Sequence, residues 1–337
     1  MVFDSFPESR LEAMIVSAKI FIKEGLLLGD WDGVGRARRG HGSVKIPEAL
    51  LSTLRDNGVY FSLNDFAISG AGAHAVVLKD VRCLRWAIQQ KRLGLIKRLI
   101  AGPFICTLPS ECDEILLSPE IDGLLFLSDW HRNLFLSLAR KRVPASYIWF
   151  SGVDTDWWTP VETPKSQVLV YRKRVTDEIF NHVLNITRRS GLEPCVLEYG
   201  FYTQEQFRSE LRKSKFAVFL SQSETQGLAM FEAWSCNVPT LHRDPGLMSF
   251  LGKNFPGASS CPYLSPDLGL RFTDLTDVEE HFCRMLSLYP DLKPRDHVMA
   301  RYTNEHSAVR FMSILTEVIG FTEGTLSGGE NGKELSS

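Results

Sequence analysis

The chain has 337 residues, 44% of them hydrophobic and 23% charged, with a formal net charge of -2. That length favours two domains, the composition supports packed cores and excludes general disorder, and the absence of a basic excess argues against nucleic acid as a partner. The seven cysteines (Cys83, Cys106, Cys112, Cys195, Cys236, Cys261 and Cys283) are scattered without a CxxC; they read as reduced, mostly buried thiols of a cytoplasmic protein, with no disulfide framework or zinc site.

In chain order, the opening MVFDSFPESR has early acids and no basic n-region, so it does not read as a secretory signal. The apolar stretch 14–28 is broken by Lys19, Lys23 and Glu24. It lacks the roughly 20 uninterrupted apolar residues of a membrane span and reads as an amphipathic helix. Gly33, Gly35, Gly40 and Gly42 form a glycine-rich stretch with no clear strand before it, which is weak as a phosphate motif. Arg36, Arg38 and Arg39 beside it either hold an anionic group or sit in a solvated loop.

Apolar runs then fall at 60–63, 74–78, 104–108, 123–127, 147–150, 168–171, 195–199, 216–220 and 238–241. They do not alternate strictly with polar residues, as expected of strands buried on both faces of a parallel sheet. Helical patterns separate many of them, at 81–90, 131–140, 176–190, 203–213 and 228–236. This βα alternation predicts a doubly wound α/β architecture. The stretch 81–100 carries Arg82, Arg85, Lys91, Arg92, Lys97 and Arg98 and no acid. It is read either as a face for an anionic membrane or lipid-linked acceptor, met peripherally, or as the solvated side of a helix lying on the sheet.

The order restarts after 152–164, where Thr159-Pro160 and Thr163-Pro164 mark a linker before the strand-like VLVYRKR. The expected division is an N-terminal domain at 1–155, a C-terminal domain at 156–321 closed by helices over 279–321, and a Gly/Ser-rich disordered tail at 322–337.

The segment carrying the chemistry is FAVFLSQSETQGLAMFEAWSCNVPTLHRD, residues 216–244. It reads as a strand, a polar turn, a helix opening at Gly227 and a further strand. A helix N-terminus after a strand is a ready anion site, because its free N–H groups and positive dipole end favour a phosphate. Gly227 allows close approach, and Ser223 or Thr225 is positioned to cap. Glu224 in the turn and Glu232 on the helix do not suit a phosphate; sugar and ribose hydroxyls are natural donors to them. Taken alone, the two acids also fit a solvated turn residue and a surface pair.

With its surroundings, this segment resembles the group-1 type of GT-B glycosyltransferases, a large retaining family with an E-x7-E motif. The resemblance implies two Rossmann-like domains with parallel sheets facing across a cleft. It implies that Glu224 contacts the transferred sugar, that Glu232 binds ribose hydroxyls, and that the backbone at Gly227 and Leu228 holds the diphosphate, with Thr225 among the donor-binding residues. SGVDTDWWTP looks like the family's interdomain segment and VLVYRKR like the first strand of its second domain. Arg172 and Lys173 then become candidates for stabilising the leaving group; a solvated basic turn is the alternative. Tyr199 and Gly200 are candidates for the base pocket. LLFLSDWHRN is similar to the family's last N-domain strand and turn, so Ser128 and Trp130 either reach the donor or, for Trp130, pack.

Two features depart from the family. The glycine-rich loop is irregular, and FICTLPSE offers Pro109, Ser110 and Glu111 where many relatives have a histidine. His41, His74 and His131 remain without an assigned role. In retaining members, same-face attack is thought to need no protein nucleophile. Asp154-Thr-Asp156 has the letters of a metal-nucleotide motif but sits in the interdomain segment, so neither metal nor cofactor is expected. The expected partners are a nucleotide-sugar and a glycan, lipid-linked or small-molecule acceptor. The rival readings are a non-catalytic GT-B relative that binds a nucleotide sugar or a partner protein, and another GT-B enzyme, such as a sugar-nucleotide epimerase or a phosphorylase. A plain dehydrogenase is disfavoured, because no G-x-G-x-x-G follows a strand.

Overall fold

The computed structural model describes residues 2–3, 42–64, 66 and 72–320, with backbone alone at 2–3 and 42–47. The amphipathic stretch 14–28, the arginines at 36–39, His41 and the tail 322–337 lie outside the described residues.

The first domain is a parallel sheet of β1 (Val2–Phe3), β2 (Ala73–Lys79), β3 (Ile96–Phe104), β4 (Gly123–Phe126) and β5 (Ala145–Ile148), in that spatial order. Helices α1 (Gly42–Asp56), α2 (Val81–Arg92) and α3 (Asp129–Leu138) cover it. Strand period 2 sends alternate side chains to opposite cores. Ala75 and Val77 pack with Cys83, Leu84, Ala87 and Ile88 of α2 and with Phe135 of α3. Val76 and Leu78 face the other side, with Leu50, Leu51 and Leu54 of α1.

The second sheet contains β6 (Gln167–Arg172), β7 (Glu193–Glu198), β8 (Ser214–Leu220), β9 (Thr240–Arg243) and β12 (Gly269–Phe272) in the order β12-β9-β8-β6-β7, all parallel. Helices α4 (Asp177–Arg189), α5 (Gln204–Lys213), α6 (Leu228–Ser235), α7 (Val278–Leu288) and α8 (Pro294–Arg301) belong to it. A hairpin of β10 (Leu247–Phe250) and β11 (Lys253–Pro256) projects after β9. Again the strands split their side chains. Val168, Val170, Phe216 and Val218 meet α4 and α7, while Leu169, Tyr171, Ala217 and Phe219 meet α5 and α6.

Three expectations change. The run 60–63 forms no strand, and Tyr60 is 95% exposed. The strand expected at 104–108 lies earlier, at Ile96–Phe104, so Lys97 and Arg98 are strand residues and not part of a long basic helix. Asp122 explains how Arg98 is tolerated there. Its carboxylate accepts from Arg98, from Lys91 and from the Leu99 N–H. Finally, α9 (Asn304–Ile319) does not close the second domain. Ala308, Phe311 and Ile314 fill the first domain's core against Leu78, Ile100 and Trp149. The Trp149 indole N–H donates to Ser307 O at 3.2 Å, and Ser307 Oγ donates to Phe150 O at 2.7 Å.

The chain therefore crosses between domains twice, and the two crossings are stitched together. Val153 N donates to Tyr302 O at 3.0 Å. Gly152 leaves no room for a side chain: a Cβ there would lie 2.5 Å from Asn304 Cα and Thr303 O. Past Gly152 the linker is fastened to the second domain, with Arg295 donating to the Thr155 and Trp158 carbonyls and Arg212 to that of Thr159.

Candidate active site

Strand order decides where a parallel α/β sheet leaves a crevice. In the second sheet the chain runs outward from β6 to β7, then returns to place β8 on the other side of β6. The loops leaving the carboxyl ends of β6 and β8 diverge there, which opens a binding crevice. Lys173 follows β6 and Glu224 lies in the loop after β8. The Lys173 Nζ reaches both carboxylate oxygens of Glu224 at 2.8 Å, and both side chains are largely buried. The other side of Nζ faces the Tyr199 ring, 4.3 Å from its centroid, in a cation–π contact.

Arg172 goes elsewhere. As neighbours at a strand end, it and Lys173 point to opposite faces. Arg172 pairs with Asp177 and lies 4.3 Å from the Phe180 ring on the α4 side. It does not line the cavity between the domains, which is the correction to its expected role.

Helix α6 opens at that crevice. Its N-cap is Gly227 itself, in the left-handed conformation (φ 87°, ψ 65°), and no side chain caps the helix. Ser223 and Thr225 are therefore not caps. A left-handed N-cap is cheap only for glycine, and it leaves the first-turn N–H groups of α6 without a side-chain cap. Thr225, Gly227, Leu228 and Glu232 all line a cavity of about 860 Å³, together with Tyr199, Gly200 and Tyr202. Ala49, Phe104 and Leu127 contribute the first domain's wall. Below it, the Tyr202 hydroxyl donates to that of Tyr171 at 3.1 Å. Burial raises the pKa of both phenols, keeping them neutral. Lys173 is the sole Lys or Arg lining the cavity among the described residues, against Asp154, Glu205, Glu224 and Glu232.

The first domain reaches the same loop. The Trp130 indole N–H donates to the Glu224 carbonyl at 3.0 Å. Gln226, 2% exposed, spans Ser151 of the linker with both ends of its amide: Oε1 accepts from the Ser151 N–H at 2.8 Å and Nε2 donates to its carbonyl at 2.7 Å. The sequence offered no signal for Gln226, because its partner is 75 residues away. Trp130, Leu108 and Leu134 also pack on Met248, Phe250, Phe255 and Ala258 of the hairpin region, and the Tyr263 hydroxyl donates to Leu127 O.

Other candidates have local duties. Ser128 is buried beneath the start of α3 and does not line the cavity. Glu111 accepts from the Thr107 and Leu108 N–H groups at 2.7 and 2.6 Å, holding its own turn. His131 is buried with Nε2 on Thr107 O, and burial lowers its pKa. Asp154 Oδ1 accepts from the Asp156 and Trp157 N–H groups. No cluster of potential metal ligands occurs among the described residues.

No protein-family model and no curated protein matches the sequence. Solved structures do match the fold. The apo form of the lipopolysaccharide outer core galactosyltransferase WaaB aligns over 94% of this chain and 98% of its own, with TM-score 0.51 and 11% identity. Sucrose-phosphate synthase from Thermosynechococcus elongatus aligns over 73% of each chain, with TM-score 0.53 and 12% identity. TarM aligns over 71% of this chain, with TM-score 0.52 and 12% identity; the match spans 54% of TarM's length.

The fold is GT-B.

In GT-B terms, the Lys173–Glu224 pair and the start of α6 lie on the second domain's wall of the interdomain cleft, with Trp130 reaching across from the first. No described helix is long and apolar enough to cross a membrane. The basic stretch is largely neutralised: Arg82 pairs with Asp80, Arg85 with Asp113, Arg92 with Glu120, and both Lys91 and Arg98 with Asp122. Those contacts favour the solvated-face reading over a membrane face.

Proposed function

We propose that this chain is a cytoplasmic glycosyltransferase that takes a sugar from a nucleotide-sugar donor, with retention and without a metal. The observation that carries the reading is the Lys173–Glu224 pair at the switch-point crevice, beside the uncapped N-terminus of α6. The donor diphosphate sits on the α6 N–H groups at Leu228 and Ala229, where the helix dipole and free donors converge. Lys173 turns from Glu224 to the diphosphate and offsets the charge that builds as it leaves. Glu224, released, accepts hydroxyls of the transferred sugar. Glu232 follows Leu228 by four residues, roughly 6 Å along the helix axis, and accepts the ribose hydroxyls. Tyr199 and Gly200 flank the base. The acceptor enters from the first domain's side, and closure keeps water from the reacting carbon.

A binding-only GT-B scaffold is the second reading. It is favoured by the cavity's single lining Lys or Arg among the described residues, which Glu224 already engages.

The test is a thermal-shift screen with UDP, GDP, ADP and CMP and their sugars, followed by an assay for free nucleotide. A ligand that binds only the folded state raises the melting temperature. We expect a shift with one nucleotide, lost in Glu232→Ala, and nucleoside diphosphate release that Glu224→Ala slows more than it weakens binding. Binding without release selects the scaffold reading. Absence of any shift overturns both.

A further inference from the structure

Glu224 is held at every polar group, by three different parts of the chain. Its N–H donates to Ser259 O at 2.9 Å, a loop of its own domain. Its carboxylate meets Lys173 after β6. Its carbonyl accepts from the Trp130 indole, which belongs to the other domain and lies 94 residues away. The first two contacts survive any relative motion of the domains, since all their atoms belong to the second. The third joins the two domains, so any separation of them at this point breaks it. Ser259 is itself fixed from within: its hydroxyl donates to Asp244 at 2.9 Å, and Asp244 also takes the Ser260 N–H at 2.9 Å. The hinge-side end of the loop is tied as well, through Gln226 on Ser151. Trp130 supplies the remaining restraint from across the cleft, at the residue whose carboxylate faces the cavity.

We propose that Trp130 is a positioning residue whose indole N–H fixes the Glu224 peptide only in the closed molecule, so that the Glu224 loop reaches its working geometry upon closure. The role rests on the proposed function for its chemical consequence, though not for its structural one. Closure and chemistry are then coupled through one hydrogen bond. In the open molecule the 224–225 peptide loses its cross-domain partner and the Glu224 carboxylate wanders on Lys173. Donor binds to the second domain in either state, because Glu232 and the α6 N–H groups do not depend on Trp130. Transfer requires the closed one. Such gating commits a bound donor only when the acceptor-side domain is in place.

The experiment compares wild type with Trp130→Phe and with Trp130 replaced by benzothienylalanine, which keeps the bicyclic packing and removes only the N–H donor. Hydrogen–deuterium exchange of peptides spanning 221–227 reads local opening without reference to activity. We expect exchange there to rise about tenfold in both variants, with peptides from the Phe126–Phe135 core unchanged. Where wild type releases nucleoside diphosphate, both variants should lower kcat at least tenfold while KM for the donor stays within twofold. If Trp130→Phe unfolds the first domain, the benzothienylalanine protein decides. Unchanged exchange at 221–227 in the isostere overturns the proposal. So does a rise spread equally over the α3 core, which would make Trp130 a packing residue only. If wild type releases no nucleotide, the glycosyltransferase reading fails while the exchange result still decides the positioning role.

Discussion

Arg172 and Lys173 show how one residue of register changes chemistry. Both are basic and adjacent, yet one pairs with Asp177 outside the cleft and the other meets Glu224 inside it. The expected consequence is asymmetric. Lys173→Ala should lower turnover by about 10²- to 10³-fold, the usual effect of removing one donor to a developing anion. Arg172→Ala should leave turnover near wild type and cost at most about 1 kcal/mol, as for other exposed pairs. Steady-state release of nucleoside diphosphate and urea unfolding check the two halves. The sequence made Lys173, Glu224, Gly227 and Glu232 visible as residues of the right chemistry near strand ends. It did not reveal which of two neighbouring cations faces the cleft, since that depends on how the strand end is turned within the sheet. Trp130 and Gln226 were less legible still. Their partners come from closure of the chain over many tens of residues, and nothing in their neighbours in sequence encodes that.

At the level of elements, the centre of the second sheet was readable, because β6 and β8 are compact apolar runs buried on both faces; the short edge strand β12, with only Gly269 and Phe272 fully buried, was not. The first sheet was harder. In β3 the second and third residues are Lys97 and Arg98, and the strand tolerates Arg98 because Asp122, just before the neighbouring β4, answers it. Read locally, that charge pattern continues the helix before it. Helix α9 was misplaced for a related reason: its apolar face is visible in sequence, but the surface it covers is not. Its contribution is testable. Phe311, 1% exposed, stacks edge-on to Trp149 at 5.6 Å. Phe311→Ala should cost about 3–5 kcal/mol, with the loss appearing in the first domain's unfolding transition in urea. At the crossing between domains, Gly152→Ala forces a Cβ into the Asn304 backbone. A cost of about 1–3 kcal/mol, typical of overpacking, should appear in the same measurement.

For the molecule as a whole, acid is the expected weakness. His242 is fully buried, stacked on Phe219, and burial pushes its pKa down to about 3. An unfolded histidine titrates near 6.5. As pH falls below about 6.5, the unfolded chain takes up a proton that the native chain refuses, so stability drops by up to about 1.4 kcal/mol per pH unit from this group. Glu120, held near 2 by Arg92 and Ser118, acts in the same direction at lower pH: its contribution is lost as pH falls from the ordinary carboxylate value toward 2. The melting temperature should therefore fall steadily from pH 6.5 to 4. His242→Gln should flatten that slope, and a slope unchanged in the variant would assign the acid sensitivity elsewhere. The return of α9 to the first domain has a consequence of another kind, for synthesis. Domains ordinarily complete in the order in which the ribosome makes them. Here the half made first must wait, with Leu78, Ile100 and Trp149 partly uncovered, until residues 304–319 emerge behind the whole second half. A released chain truncated after residue 303 should show a protease-resistant second half beside a sensitive first one, reversing the usual order of maturation.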